Sequence, residues 1–389
     1  MRALVIERRE LSYAAAVVTS RLRPASGAHT GVVRLRDIDP PELPGDGWVR
    51  VRSRMCGICG SDVTTVEGRA SRYFEPLVSF PFVPGHEVVG ELESGARVVI
   101  EPVLGHAARG EEPPFPGAAP GDGDDYGHLV TGPLEPGIQI GFCASTSGGW
   151  GEEFVAHRSQ IHPIPDSLSD EAAVMVEPTA GGVHAALRAG ITDGDTVVVL
   201  GAGTMGLVTV AAVRRLTPVG TLVVGARYAH QRRLASDIGA DVVVEPDALR
   251  RAVRRLVGCR VIGQALSGGA EVTIDAVGSP DSIAEAIDVT RPRGRVVLLG
   301  MPGRVELDLA PLWHRETELV GSYTYGTEHL PEGGNASAFE LAIGLVTDAD
   351  LARLVTAAYP IKDYRAAIEH AAEAGRRDAT KIAFDHRIA

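Results

Sequence analysis

The segment that most restricts what this chain can fold into is Thr196-Val-Val-Val-Leu200, followed without a gap by Gly201-Ala-Gly203-Thr-Met-Gly206. A continuous β-branched run closed by a glycine turn reads as a strand buried on both faces. A helical pattern from Met205 to Leu216 starts at once. The alternation then continues. Thr221 to Val224 reads as a strand and Ala229 to Ile238 as a helix. Glu271 to Asp275, Arg295 to Leu299 and Glu318 to Gly321 read as further strands. Strands alternating with helices predict a parallel sheet with right-handed crossovers.

The glycines define what this unit can bind. The first permits the tight turn and the second lets backbone N–H groups approach a pyrophosphate. The third lets helix and strand pack closely, with the helix N-terminus supplying positive potential. Alone, G-x-G-x-x-G is a weak signal for a tight turn. In the strand–turn–helix setting it reads as a dinucleotide site formed by Gly201, Gly203, Thr204, Met205 and Gly206. An NAD site normally has an acidic residue at the end of the second strand, on the ribose 2′-hydroxyl. Here the segment is Gly225-Ala226-Arg227-Tyr228. A guanidinium can grip a 2′-phosphate with forked hydrogen bonds, so Arg227 and Arg232, beside Ala226, favour NADP over NAD. The bland alternative is a pair of solvated helix-face charges.

The rest of the chain has a different texture. Residues 1–165 are rich in Gly, Pro and short β-type runs: Val32 to Arg36, Trp48 to Arg52, Val88 to Leu92 and Arg97 to Ile100. Residues 105–137, rich in Gly, Pro and Asp, read as an exposed excursion. Past residue 325 the pattern is helical (Ala336 to Val346, Asp363 to Ala374) until Lys381-Ile-Ala-Phe384, a strand expected to rejoin the first domain. The expected class is α/β: a β-rich domain of residues 1–165 with 325–389, and a doubly wound parallel sheet domain of residues 166–324.

The β-rich part carries Cys56-Gly-Ile-Cys59-Gly-Ser61-Asp62 and Gly85-His86-Glu87, and Glu177-Pro178 follows later. Two thiols, an imidazole and carboxylates suit zinc if the fold gathers them. Singly, each is weak: Cys-x-x-Cys also serves as a redox pair or as buried apolar filler, and a lone His is more often structural.

In order and spacing these motifs resemble the zinc-dependent medium-chain dehydrogenase/reductase family, in its alcohol, polyol and threonine dehydrogenase branch. Gly148-Gly-Trp150-Gly-Glu-Glu153, Ile274-Asp-Ala-Val277-Gly278 and Gly294 to Gly300 extend the resemblance over nearly the whole chain. It implies a GroES-like catalytic domain and a Rossmann domain, with Val277 near the cofactor. It implies Cys59 and His86 as zinc ligands, Glu177 as a third ligand or a holder of one through water, and Glu87 as a flexible or outer ligand. Asp62 would accept a hydrogen bond from His86, Cys56 would pack, and Ser61 would take the alcohol proton. An open zinc position would stabilise alkoxide ahead of hydride transfer in a cleft between the domains.

Two departures from the family are visible. Many relatives have a histidine relaying the proton where this chain has Thr64, which is no base near pH 7. Relatives often hold a structural zinc on four cysteines in the excursion, but no cysteine occurs between Cys59 and Cys143. One catalytic zinc and no structural zinc are expected, with the excursion held by packing or disordered. Cys143 and Cys259 read as small buried residues. Tyr73, Trp150, Trp313, His314, Tyr323 and Tyr325 are candidate pocket residues, and His184 reads as an ordinary helix residue.

A net charge of −12, from 38 basic and 50 acidic residues, disfavours nucleic acid and anionic membrane as partners. Four cysteines are too few for a disulfide scaffold. The opening Met1-Arg-Ala-Leu-Val-Ile-Glu does not read as a signal peptide, and no apolar run approaches the ~18 residues of a membrane span. These observations predict a cytoplasmic protein, and the resemblance implies an enzyme acting on a small alcohol or ketone as a homodimer or homotetramer. The rival readings are a zinc-free NADPH reductase of the enone or quinone type and a non-enzymatic NADPH-binding protein.

Overall fold

In the computed structural model, which describes residues 1–388, β1 (Arg2–Ile6) pairs antiparallel with β2 (Val33–Asp37). Between them lies a helix the β-type composition did not suggest, α1 (Glu10–Ser20). Ala14-Ala15-Ala16 costs little to wind into a helix. Tyr13, Ala16 and Val17, at helical spacing, turn inward, while Leu11 and Val18 face solvent at 88% and 62% exposure.

The long strand β3 (Trp48–Gly57) organises the first unit and leads through Cys59 into α2 (Gly60–Val66). One edge of β3 pairs antiparallel with β4 (Val88–Leu92), which continues through β5 (Arg97–Ile100) to β7 (Ile161–Pro163). The other edge is shared. Its first half takes β6 (Glu153–His157), with Trp48 opposite His157. Trp150 is fully buried and makes an edge contact with Phe384 at 5.1 Å between ring centroids, so it is a core residue of this unit.

The excursion between β5 and β6 is ordered around one cation. Arg109, 1% exposed, donates to the carbonyls of Thr131 (3.0 Å), Leu134 (3.3 Å), Glu135 (3.2 Å) and Gly137 (2.7 Å). A planar five-donor group can satisfy several converging carbonyls at once. The rings of His106 and His128 stack nearby with centroids 3.9 Å apart.

The second unit opens with α3 (Val176–Arg188), whose first two residues still belong to the first unit, and then builds its sheet from β8 (Thr196–Leu200). The chain continues through α4 (Thr204–Leu216), β9 (Thr221–Gly225), α5 (Ala229–Ile238), β10 (Val242–Val244) and α6 (Pro246–Val257). It then passes through β11 (Ala270–Asp275), α7 (Pro280–Val289), β12 (Thr290–Leu298) and β13 (Glu318–Gly321). All these strands are parallel, in the order β10-β9-β8-β11-β12-β13. The order reverses direction between β8 and β11, and that crevice beyond the strand ends is where parallel α/β sheets bind ligands. Val198, Val223 and Val296 from the sheet pack with Leu249, Val253 and Ile283 from its helices.

Near the end of α8 (Ala338–Asp348), past Leu345, the chain returns to the first unit. There β14 (Val355–Tyr359), α9 (Tyr364–Ala372) and β15 (Lys381–Asp385) complete it. β15 takes the second half of the shared β3 edge, with Ala383 opposite Gly57, as expected for Lys381 to Phe384.

The division between units falls after Glu177 and after Leu345, where the sequence reading put it after 165 and 324. Asp170 explains the first difference. Arg54 from β3, Arg97 from β5 and Arg387 all donate to this buried carboxylate, which keeps residues 166–177 with the first sheet. Tyr325 packs edge-on against Phe339 at 4.8 Å, which keeps 325–345 with the second. Among the described residues, no helix is long and apolar enough to cross a membrane.

Candidate metal and dinucleotide sites

Sheet register brings the chemistry of the first unit together. Because β3 leaves where β4 enters, Cys56 faces Val88 and the Gly57 N–H donates to the Glu87 carbonyl at 2.9 Å. Cys59 therefore emerges beside His86 and Glu87. The Ile58 N–H donates to the Ile382 carbonyl at 2.9 Å, which adds β15 to the same spot. The Cys59 sulfur, a ring nitrogen of His86 and a carboxylate oxygen of Glu87 lie within 4.8 Å of one another, the one such group of three among the described residues. A Cβ at Gly57 would sit 1.9 Å from the Glu87 carboxylate, so a larger residue here would push Glu87 off its position.

α2 orients the cluster. Asp62, 1% exposed, accepts the Cys59 N–H at 2.9 Å through one oxygen. Its other oxygen faces His86 Nδ1 at 3.6 Å, and both of those buried atoms lack a hydrogen-bond partner. The hydrogen bond expected between them is thus an approach just beyond bonding distance. Burial pushes the Asp62 carboxyl up to about 6, against the opposing pull of His86. For His86, burial pulls downward, but Asp62, Cys59 and Glu177 outweigh it and hold the imidazole well above its ordinary value. Burial likewise raises the Cys56 thiol, and its sulfur turns to the Gly57 carbonyl.

Lys381, 2% exposed, donates to both Glu87 oxygens at 2.6 and 2.5 Å. Against this single ammonium stand Cys59, Asp62, Glu87 and Glu177, the last close enough to act on both His86 and Lys381. A thiol, an imidazole with one nitrogen turned to a carboxylate, and surplus buried acid form a donor set that fits a zinc ion.

In the second unit Gly201 has φ +88°, and a Cβ there would meet Val277 at 2.6 Å. A Cβ on Gly206 would lie 2.0 Å from the Gly201 carbonyl oxygen, while Gly203 opens to free space. Gly203 caps α4, so Thr204, Met205 and Gly206 form its first turn. Asp275 at the end of β11 accepts the N–H groups of Val277 (2.9 Å) and Gly278, and the Ser282 hydroxyl at 3.0 Å, fixing the facing turn. Arg227 is exposed after the buried Ala226. Arg232 donates to the carbonyls of Ala226 and Arg227 and pairs with Glu245 at 3.0 Å, so it braces the turn that presents Arg227.

Residues 45–166 match the alcohol dehydrogenase GroES-like domain, and residues 204–338 match the zinc-binding dehydrogenase family. Human sorbitol dehydrogenase is 32% identical over 316 residues, covering 76% of this chain and 79% of that protein. The sorbitol dehydrogenase of Bacillus subtilis (strain 168) is 26% identical and covers 91% and 94%. The chain belongs to the zinc-dependent medium-chain dehydrogenase family. A zinc-binding dehydrogenase of Sinorhizobium meliloti 1021, solved bound to NADP, superposes on this dehydrogenase with a TM-score of 0.68 at 25% identity, covering 91% and 96% of the two chains.

Other candidate residues fall in several places. Ser61 is partly exposed in the first turn of α2. The Thr64 hydroxyl donates back to the carbonyls of Gly60 (2.8 Å) and Ser61 (3.0 Å), so it is spent within its own helix. Tyr325 is buried, whereas Tyr73 and Trp313 are 72% and 79% exposed. His184 bonds Glu328 at 2.7 Å.

Lys381 is the residue the sequence reading missed. One signal was available: the dehydrogenase uses arginine for nearly every cation and keeps lysine only at 362 and 381. A lysine inside an apolar strand must find a buried acid.

The glycine turn carries a prediction. Gly206→Ala places a methyl against backbone that cannot swing aside, an overpacking cost of about 1–3 kcal/mol. The expected result is a lower Tm and at least about tenfold weaker dinucleotide binding, read by quenching of protein fluorescence.

Proposed function

We propose that this dehydrogenase oxidises a secondary alcohol of a polyol, sugar or amino alcohol to the ketone, reversibly, with NADP and one zinc ion per chain. The observation that carries the reading is the convergence of Cys59 with His86 and Glu87 from two separated motifs. Neither a zinc-free enone reductase nor a non-enzymatic dinucleotide binder has need of such a cluster.

In this reading Cys59 and His86 would hold the ion, with Glu177 as third ligand, while Glu87, held by Lys381, would serve as a flexible or outer ligand. The ion supplies Lewis acidity, which makes an alcohol proton easier to remove. Asp62 faces His86 Nδ1 at 3.6 Å and favours a proton on that nitrogen. Lys381 offsets the surplus negative charge, so that the cluster favours a dication without trapping it. Ser61, two residues past Cys59, receives the alcohol proton, and water carries it on in place of the engaged Thr64. The bound nicotinamide would accept the carbinol hydride. Overall, alcohol and NADP⁺ give ketone, NADPH and one proton.

The Gly201–Gly206 turn holds the pyrophosphate and Arg227 grips the 2′-phosphate. The NADP-bound Sinorhizobium relative supports that choice. Arg227→Ala is expected to raise the KM for NADP by about 10- to 100-fold, the worth of a charge-assisted pair, and to leave the KM for NAD unchanged. Steady-state kinetics with both cofactors decide it.

The sorbitol dehydrogenase relatives support a hydroxyl-rich substrate. A panel of polyols, sugars and amino alcohols, read by absorbance of reduced nicotinamide alongside metal analysis, tests the whole proposal. Activity without bound zinc, or with NAD alone, would overturn it. For assembly we propose that β13, an edge strand with Leu319 exposed at 36%, pairs with its copy in a second chain.

A further inference from the structure

The outward face of α1 is apolar along its whole length. Leu11, Ala14, Ala15 and Val18 are exposed, and Leu22 continues the stripe at 86% exposure in the turn that follows. The spacing is that of one helical face. A contiguous apolar stripe of this kind marks an interaction surface.

Three pairs of exposed positions are self-complementary about the midpoint between Ala16 and Val17. Leu11 mirrors Leu22, Ala15 mirrors Val18, and Glu10 mirrors Arg23. An isologous contact requires that kind of self-complementarity, because each residue must find its mirror on the other copy. We propose that α1 packs antiparallel against α1 of a second copy of this chain. Leu11 then meets the partner's Leu22 at both ends, and Ala15 meets the partner's Val18 at the centre, where small side chains allow the helices to approach closely. Glu10 meets the partner's Arg23. Arg23 reaches Glu369 of its own chain at 3.0 Å and is 67% exposed, so its remaining donors stay available for a second carboxylate.

This charge pairing selects a second copy over a lipid surface. Glu10 at one end and Arg23 at the other find opposite charges on a second antiparallel copy, whereas an anionic lipid surface repels Glu10. The contact is independent of the alcohol chemistry and of the β13 edge.

Two experiments on the full chain test it. Leu11→Glu with Leu22→Glu changes only solvent-facing positions. Sedimentation equilibrium is expected to give half the wild-type mass, through a loss of association of at least about 100-fold. The second experiment uses Leu11→Cys and Leu22→Cys made singly. The two positions are roughly 16 Å apart along the helix. Mixing the two variants under mild oxidation is expected to give a covalent dimer, and neither alone should do so. The proposal is overturned if the mass does not change, if Leu11→Cys cross-links to itself as readily, or if the Glu variant instead loses binding to phosphatidylglycerol vesicles at unchanged mass.

Discussion

Cys59→Ala is expected to leave the purified dehydrogenase with less than about a tenth of a zinc per chain, and to lower kcat/KM for any accepted alcohol by at least about 1,000-fold. That factor corresponds to about 4 kcal/mol of transition-state stabilisation. The reasoning starts from ligand count. A catalytic zinc has three protein ligands, and its tightest donor here is a thiolate. Removing the sulfur leaves an imidazole and carboxylates, one of them already claimed by Lys381. The fold should survive, because Cys59 is only partly buried and the N-cap contact it provides is its backbone N–H on Asp62. Unchanged circular dichroism, unchanged dinucleotide binding and lost metal would together assign the effect to the ion. Wild-type protein stripped with EDTA should behave the same way and recover when zinc is returned. Full activity in the alanine variant would remove the metal from the mechanism.

Lys381→Met is expected to destabilise the metal-free protein by about 3–5 kcal/mol in urea denaturation, since it leaves Glu87 buried without its cation. Pairing the change with Glu87→Gln should recover most of the loss, because two neutral groups of similar shape avoid the desolvation cost. The pH dependence has a defined sign. Burial works to lower the Lys381 ammonium, but the Glu87 charge prevails and holds it above its ordinary 10.5. Its contribution is therefore complete below that value and lost as pH rises through the folded one. Wild type should thus lose stability in strongly alkaline solution by a step that the methionine variant lacks. If the single variant were as stable as wild type across that range, the ion pair would have no structural weight.

Much of the parallel-sheet unit was legible because its signals are local. The valine run of β8, the glycine turn and the helix after it are set by neighbours in sequence. Their boundaries lie within a residue of those expected, as α4 shows by starting at Thr204 rather than Met205. In the first unit local signals were weaker. Helix α1 passed unnoticed among β-type runs, and Trp150 looked like a pocket residue until its burial against Phe384 placed it in the core. Arg109 offered no sign that it would gather the carbonyls of the excursion, since those contacts depend on a loop path that no periodicity encodes.

The sequence by itself determined the βαβ alternation, the position of the pyrophosphate turn, and the kinds of donor atom available for a metal. Steric identity and hydrophobic period are properties of adjacent residues and need no fold to be read. Tertiary structure alone decided that Cys59, His86 and Glu87 would meet, and that Lys381, 294 positions from Glu87, would sit beneath them. That meeting depends on the antiparallel register of β3, β4 and β15. Such a register is fixed only when a whole sheet buries one face, which is a property of the assembled core and not of any segment within it.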